Sequence, residues 1–280
     1  LQVMLHYFTK TILPYPLSFY YGYKVFKPAK LTDAIPLVSL VLHLLLLLTG
    51  IAFIKKNKAV SFSLFIYFVT ILPFSNLFIS VPGVAADRFL LVPSIGWCIL
   101  LAQLLFLLWK QNSQAPVSDF SNAPKAFKYV FGAILCFYSV ITIARNFNWK
   151  DDLTLFRHDI EYVNNSAQAH NLLALHLMQH SEKEPGAAEQ TALKQEAMLH
   201  FKKALEIYPP FFNVAYDIGR VYISLNMPDS AIIAFKHSLT IDTSFIDAHL
   251  NLAGLYFSRG KLNDAIPYYA HLINVLPTEA

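Results

Sequence analysis

The sequence is short of charge and of cysteine, and each shortage excludes a class of protein. Charged residues make up 14% of the 280 residues, whereas apolar residues make up 55%. This composition is too apolar for an ordinary soluble enzyme and indicates that part of the chain lies in lipid. The two cysteines, Cys98 and Cys136, fall inside apolar runs and make no disulfide framework. Metal-ligand spacings, a phosphate-cradling glycine loop and a nucleophile elbow are also missing from the sequence, so no metal and no cofactor is expected.

Acidic residues are scarce in the first half of the chain. Residues 1–144 carry 3 Asp and Glu against 11 Lys and Arg, whereas residues 145–280 carry 15 against 11. The two halves are therefore expected to occupy different media. The lysines of the first half lie between apolar runs, which is typical of helix ends that meet lipid headgroups. We expect the lipid bilayer as a partner, and no nucleic acid.

Four apolar stretches are long enough to cross a bilayer, which takes about 20 helical residues. They are residues 35–54, 60–81, 89–109 and 127–144. Each has to be helical, because lipid offers the backbone polar groups no partner. His43 stands alone in the first span, where packing or a hydrogen bond to a neighbouring helix is the ordinary role and ligand binding the alternative.

The loops between these stretches predict an orientation. Lysines follow the first span and separate the third from the fourth, so both loops are expected to be cytoplasmic. The residues concerned are Lys55, Lys56, Lys58, Lys110, Lys125 and Lys128. Asp87, Arg88 and everything after residue 145 then lie outside, in a periplasm or an organelle lumen. Four lysines of the N-terminal segment run against this rule: Lys10, Lys24, Lys27 and Lys30.

Residues 1–34 are predicted to be an interfacial or extracytoplasmic segment. Pro14, Pro16 and Gly22 interrupt it, and no leader sequence is recognisable after Leu1, so we expect the chain to be a fragment without its N-terminal portion. Its aromatic run suits the headgroup zone as an anchor, or alternatively a surface that stacks on sugars or contacts lipid. The rings are those of Tyr15, Phe19, Tyr20, Tyr21 and Tyr23.

The second half contains an internal repeat with a period of 34 residues. Copies that start at Phe212 and Ile246 share the small and large positions of tetratricopeptide (TPR) helix pairs. An upstream copy is longer by 11 residues. The sequence predicts three repeats, 167–211, 212–245 and 246–279, after a helical juxtamembrane linker at 145–166. The expected fold is all-α, with polytopic membrane helices followed by a TPR α-solenoid.

The concave face of such a solenoid commonly binds a polypeptide, and a solvated helix face is the alternative at each position. The predicted groove residues are Asn171, Asn213, Tyr216, Arg220 and Asp247.

Charged residues at the mouths of two spans are the other candidates. A charge at bilayer depth costs several kcal/mol, so such residues lie at the interface, form pairs or line a cavity. Asp87 and Arg88 are neighbours and do not face each other on a helix. The planar guanidinium of Arg88 suits a lipid-carrier phosphate, with simple contact to headgroups as the alternative. Arg145 and Trp149, at the exit of the fourth span, are typical of interfacial anchoring and are further candidates for donor contact.

Four features in order carry a family resemblance: "LPYPLSFYYGY", "ADRFLLVPSIGWCIL", "ARNFNWKDDLTLF" and the TPR array. Together they resemble the back half of the transmembrane and TPR-containing O-mannosyltransferases and their bacterial relatives. The resemblance implies a polytopic glycosyltransferase of the GT-C class, in which Arg88 matches the motif arginine and Asp87 a common acidic position. Tyr20 departs from the acidic residue of many relatives. The acidic base of this class would precede Leu1.

The expected function is thus the C-terminal part of a membrane glycosyltransferase. It would take a sugar such as mannose from a polyprenyl or dolichyl phosphate donor, with the TPRs binding a protein acceptor. The expected location is a bacterial inner membrane with periplasmic TPRs, or the endoplasmic reticulum membrane with lumenal TPRs. A non-catalytic, membrane-anchored TPR adaptor is the main alternative. A transporter is disfavoured by the few ionisable residues inside the spans.

Overall fold

The computed structural model describes residues 1–22, 25–26, 29–75, 85–110 and 123–275. Every regular element in these ranges is a helix, which confirms the all-α prediction. The chain divides into two compact units, unit 1 (Leu1–Tyr162) and unit 2 (Val163–Ala280). Some sequence predictions fall outside the described ranges: those on Tyr23, Lys24 and Lys27, on the end of the second span (76–81) and on the last residues of the third repeat (276–279).

Unit 1 contains six described α-helices and two short 3₁₀ turns. The helices are α1 (Gln2–Ile12), α2 (Ala34–Ala52), α3 (Lys58–Ile71), α4 (Leu91–Leu108), α5 (Lys125–Asn148) and α6 (Asp152–Asp159), and the turns are Leu72–Phe74 and Asp87–Leu90. Three described helical stretches are long and apolar enough to cross a membrane: Ala34–Ala52, Asp87–Leu108 and Lys125–Asn148. The apolar stretch Lys58–Phe74 is shorter. It covers the first part of the predicted span 60–81.

Helices α2, α3 and α4 form consecutive antiparallel neighbours. The Asn57 side chain caps α3 by accepting from the backbone N–H groups of its first turn, which a helix start otherwise leaves unpaired. Asn57 also donates to Gln103 Oε1 near the end of α4, at 3.4 Å. Val60, Leu64 and Leu100 form a buried cluster between these helices. The lysine-bearing start of α3 therefore lies at the same end of unit 1 as the end of α4.

A close helix crossing holds α3 against α4. A Cβ placed on Gly96 would lie 2.5 Å from the Ser63 carbonyl oxygen and 2.6 Å from the Ile66 side chain, so only glycine fits. The absence of a side chain thus brings the two backbones together, as small residues do in membrane helix packing.

Helix α1 was not predicted from the sequence. It buries Met4, Tyr7 and Thr11, which are spaced to lie on one helix face, and it contacts α2, α4 and the turn before α4. His43 of α2 takes the packed, hydrogen-bonded role: its Nδ1 donates to the Ser39 carbonyl at 2.7 Å, and the Tyr67 hydroxyl lies 3.3 Å from its Nε2.

Unit 2 is a row of three antiparallel helix pairs, the TPR arrangement that the 34-residue period predicts. Its helices are α7 (Ala167–Lys183), α8 (Ala187–Ile207), α9 (Phe212–Ser224), α10 (Pro228–Ile241), α11 (Ile246–Ser258) and α12 (Leu262–Val275). Helix α7 has 17 residues against 13 in α9, and α8 has 21 against 14 in α10. The upstream copy is therefore longer because both of its helices are extended.

The aromatic positions of the repeat fill the space between helix pairs. Phe235 of α10 is fully buried and shares a cluster with Leu252 and Tyr256 of the next pair. A Cβ on Gly219 would lie 2.4 Å from the Phe235 ring, so this small position makes room for the ring.

Gly96→Ala is expected to destabilise unit 1 by roughly 1–3 kcal/mol, because the added methyl group overpacks a backbone contact. The measurement is the thermal unfolding midpoint of the full chain in detergent. Gly132→Ala in α5 is the matched control, because a Cβ there meets no described atom within 4 Å. Equal midpoints for the two variants would contradict the close-crossing interpretation.

Candidate functional site

The Asp87 carboxylate is turned into unit 1 and not towards solvent. Its side chain is 7% exposed, and its Oδ2 accepts from the Ser18 backbone N–H at 2.6 Å and from the Tyr21 hydroxyl at 2.8 Å. Burial, followed by the negative charge of Asp87, raises the pKa of Tyr21. The other oxygen, Oδ1, lies 3.7 Å from His6 Nε2, and neither atom has a hydrogen-bond partner among the described residues. Asp87 thus anchors the segment Leu17–Tyr21.

The neighbouring Arg88 points the other way and is exposed. Its Nη1 donates to the Phe19 carbonyl at 2.9 Å, and its Cζ lies 4.5 Å from the Phe19 ring centre and 5.0 Å from that of Phe89. Phe89 is itself stacked on Phe74 at 4.3 Å. A guanidinium carries five N–H donors. Among the described residues, the Phe19 carbonyl accepts from one of these donors, so the other N–H groups are candidates to bind an anion.

Arg145 is engaged with Asp159. The pair is bidentate, with Nη1–Oδ1 at 2.6 Å and Nη2–Oδ2 at 3.0 Å, and the side chains are only 13% and 4% exposed. His158 Nδ1 also lies 3.0 Å from Asp159 Oδ1. Trp149 lies 5.8 Å from the Arg145 guanidinium and 5.7 Å, edge to face, from the Phe19 ring. Sequence reasoning missed Asp159; its nearest signal was the conspicuous Arg145, 14 residues earlier.

These contacts bring three of the quoted sequence stretches together. The Phe19 backbone N–H donates to Asp159 Oδ2 at 2.6 Å, while its carbonyl accepts from Arg88. We call Asp87, Arg88, Arg145, Asp159 and Phe19 the arginine–carboxylate cluster. It joins the proline- and tyrosine-rich segment, the turn before α4 and the region from the end of α5 through α6.

A cleft is lined in part by Arg145 of the cluster. Its apolar lining includes Leu17 and, from α5, Val140, Ile141 and Ala144, and its polar lining includes Tyr15 and His158. Such a mixed lining is typical of sites for largely apolar ligands that carry a polar group. Among the described residues, no three His, Cys, Asp or Glu side chains gather as a metal site.

Three of the five predicted groove residues of unit 2 make polar contacts that link them to neighbouring side chains, and the other two, Asn213 and Asn171, stand apart from these contacts. Tyr216 Oη accepts from Asn251 Nδ2 at 3.0 Å, and Asn251 also donates to the Asp247 carbonyl. Arg220 pairs with Asp217 at 3.2 Å. Asn213 is exposed, and the buried Asn171 has an Oδ1 without a hydrogen-bond partner among the described residues.

Asp217 and Asn251 were not predicted, although they share one position of the 34-residue repeat. Burial raises the pKa of Asp217, and the Arg220 guanidinium opposes this rise. With His176, Gln179 and Glu182, the Asp217–Arg220 pair forms the polar part of the lining of a pocket in unit 2, which apolar side chains also line.

A histidine pair, in which His170 is buried and His200 half-buried, ties the first repeat to the turn before it. His170 Nε2 lies 2.9 Å from the Asn164 carbonyl and therefore donates to it, which leaves Nδ1 as the acceptor facing His200 Nδ1 at 2.8 Å. Burial lowers the pKa of His170 below its ordinary value of 6.5. The folded unit thus favours neutral His170.

Unit 2 is expected to lose stability as the pH falls. The folded-state pKa of His170 is lowered, so below pH 6.5 the unfolded chain binds the proton more readily, and stability declines as the pH falls towards the folded-state pKa. The check is thermal unfolding of the full chain from about pH 8 to 5, the range in which histidine titrates. His170→Gln should flatten this dependence and exposed His237→Gln should leave it unchanged. A His170→Gln profile identical to wild type would refute the assignment.

Comparison with known proteins gives matches for both units. The tetratricopeptide repeat family profile matches residues 212–245. "Protein O-mannosyl-transferase TMTC3" of Mus musculus is 24% identical over 237 residues, which cover 79% of this chain and 24% of the relative. "Protein O-mannosyl-transferase TMTC1" of Homo sapiens is 28% identical over 166 residues, covering 59% of this chain and 17% of the relative. The chain thus spans about a quarter or less of these relatives.

Among solved structures, TTC0263, described as "a thermophilic TPR protein" in Thermus thermophilus, aligns with 45% of this chain and 65% of its own. The TM-score is 0.41 and the sequence identity 20%.

Proposed function

We propose that the chain is part of a membrane glycosyltransferase that uses a polyprenyl or dolichyl phosphate sugar donor. The matches confirm the predicted resemblance to the TPR-containing O-mannosyltransferases, and this resemblance supports the proposal. Unit 1 holds the lipid-linked donor, and unit 2 binds the polypeptide acceptor. The transfer inverts the sugar configuration and delivers a hexose such as mannose to a protein hydroxyl.

The observation that carries the proposal is the setting of Arg88. It is an exposed guanidinium, in contact with the rings of Phe19 and Phe89, at the start of a helical stretch that is long and apolar enough to cross a membrane. Guanidinium groups bind phosphate oxygens through paired, charge-assisted hydrogen bonds. Arg88 would stabilise the negative charge that develops on the phosphate as it leaves the sugar.

Arg145 does not share this role in our proposal. Its two terminal nitrogens are already bonded to Asp159, and the pair is almost fully buried. Removing Arg145 from Asp159 to reach a phosphate would leave a buried carboxylate unpaired, which costs several kcal/mol. Trp149 and the α5 cleft instead suit the lipid part of the donor.

The geometry of unit 1 supports the predicted orientation. Lys58, at the start of α3, lies at the same end of unit 1 as the end of α4, while Asp87 and Arg88 precede α4 at the opposite end. With the lysine end in the cytoplasm, the cluster faces the periplasm or the lumen of the endoplasmic reticulum. Lys10, which runs against the rule, donates to the Pro16 carbonyl, and burial lowers its pKa.

Arg88→Ala is expected to weaken donor-lipid binding by about 10- to 100-fold, because a charge-assisted hydrogen bond contributes about 1.5–3 kcal/mol. Arg88→Lys should recover only part of the affinity, since lysine lacks the planar fork. The measurement is binding of dolichyl and undecaprenyl phosphate to the full chain in lipid nanodiscs. Exposed Lys56→Ala, at the opposite end of unit 1, is the charge-matched control. Unchanged affinity in Arg88→Ala would rule out the phosphate role.

The alternative function is a membrane-anchored TPR adaptor without chemistry. One observation favours it: the matched TPR profile lies wholly within unit 2, and an adaptor needs only anchoring from unit 1. The donor-binding measurement separates the two functions, because an adaptor has no reason to bind a lipid phosphate through Arg88.

Both functions predict a polypeptide in the groove of unit 2. A photo-crosslinking amino acid at exposed Asn213, on α9, should capture polypeptides from the compartment in which unit 2 resides. The same amino acid at exposed Ile233, on the partner helix α10, is the control and should capture far less. Equal capture at the two positions would contradict the groove assignment.

A further inference from the structure

We propose that Asp159, held by Arg145, is a positioning residue that sets Arg88 in place through Phe19. The purpose of this arrangement rests on the proposed function, because an oriented guanidinium matters most if it binds the donor phosphate. The arrangement itself can be tested without any donor. The proposal assigns a role to Arg145 and Asp159. Neither the motif resemblance nor their position beside a membrane span assigns them one.

The first step is the pairing of two consecutive amides with two different carboxylates. Ser18 N–H donates to Asp87 Oδ2 and Phe19 N–H donates to Asp159 Oδ2, each at 2.6 Å. Such short bonds to ionised acceptors are stronger than bonds between neutral groups. The two carboxylates come from distant parts of the sequence, and together they hold two consecutive peptide groups, Leu17–Ser18 and Ser18–Phe19.

The second step is that Arg88 takes its position from Phe19. Its Nη1 binds the Phe19 carbonyl, and its guanidinium lies over the Phe19 ring. That ring is in turn held edge to face by Trp149 at 5.7 Å and by Phe156 at 5.5 Å. Asp159 therefore fixes the Phe19 amide, and Trp149 and Phe156 fix its ring. The Phe19 carbonyl and ring in turn contact the Arg88 guanidinium.

The third step is that stabilisation of α6 does not account for the buried Arg145–Asp159 pair. Asp159 is the last residue of α6, where the negative end of the helix dipole disfavours a carboxylate. Burying two charges also costs more than an exposed pair would. The carboxylate is nevertheless kept there by Arg145, and its Oδ2 binds the Phe19 amide.

The test measures the reactivity of Arg88 towards phenylglyoxal in the full chain in detergent, quantified by mass spectrometry. In Asp159→Ala the Phe19 amide loses its acceptor, and Arg88 modification should rise about fivefold, the factor expected when one hydrogen bond of ordinary net strength is lost. Asp159→Asn keeps an oxygen acceptor and should rise less. Exposed Glu161→Ala, two residues further on, should match wild type.

A second variant keeps the test decisive if Asp159→Ala fails to fold. Phe19→Leu preserves the backbone amide and carbonyl and removes only the ring, so Arg88 should again become more reactive in a chain that still folds. Wild-type Arg88 reactivity in a folded Asp159→Ala or Phe19→Leu protein would overturn the proposal.

Donor binding then separates this inference from the proposed function. If Asp159→Ala raises Arg88 reactivity and weakens binding of dolichyl phosphate, both stand. If reactivity rises in a chain that binds no lipid phosphate even as wild type, Asp159 still positions Arg88, and the phosphate role fails. Affinity lost without any change in Arg88 reactivity would overturn the positioning role.

Discussion

Unit 1 depends on two carboxylates that hold one short stretch of backbone. Segments rich in proline and aromatic residues form no regular hydrogen-bond ladder, so their buried amides need partners from elsewhere. Asp87 and Asp159 supply those partners to Ser18 and Phe19. Because Arg88 is bound to the same residue as Asp159, the exposed cation and the buried ion pair form one connected structure.

The features that could be predicted from the sequence are those written in periodic or compositional patterns. The 34-residue spacing from Phe212 to Ile246 identifies the TPR pairs because each pair repeats the same small and large positions. Long apolar runs likewise indicate the membrane-length helices. Helix α1 was not predicted, because its buried residues Met4, Tyr7 and Thr11 are identified as one face only by their packing in the folded chain.

The cluster could be predicted only in part, for a different physical reason. Arg88 and Arg145 are conspicuous as charges beside apolar runs, but nothing local specifies which acid each one meets. Asp87 and Arg88 point apart, as expected of neighbours in a helical turn, while the fold brings Asp159 to Arg145 across the end of α5, a loop and the whole of α6. Likewise, Asp217 and Asn251 share one repeat position but have different partners, Arg220 and Tyr216.

The extension of the first repeat has a geometric consequence. Helix α7 gains four residues over α9 and α8 gains seven over α10, and at 3.6 residues per turn these are about one and two whole turns. Additions this close to whole turns rotate the later side chains by no more than about 40°. The first pair is therefore one to two turns taller than the next, while the face that packs on the following repeat keeps nearly the same direction.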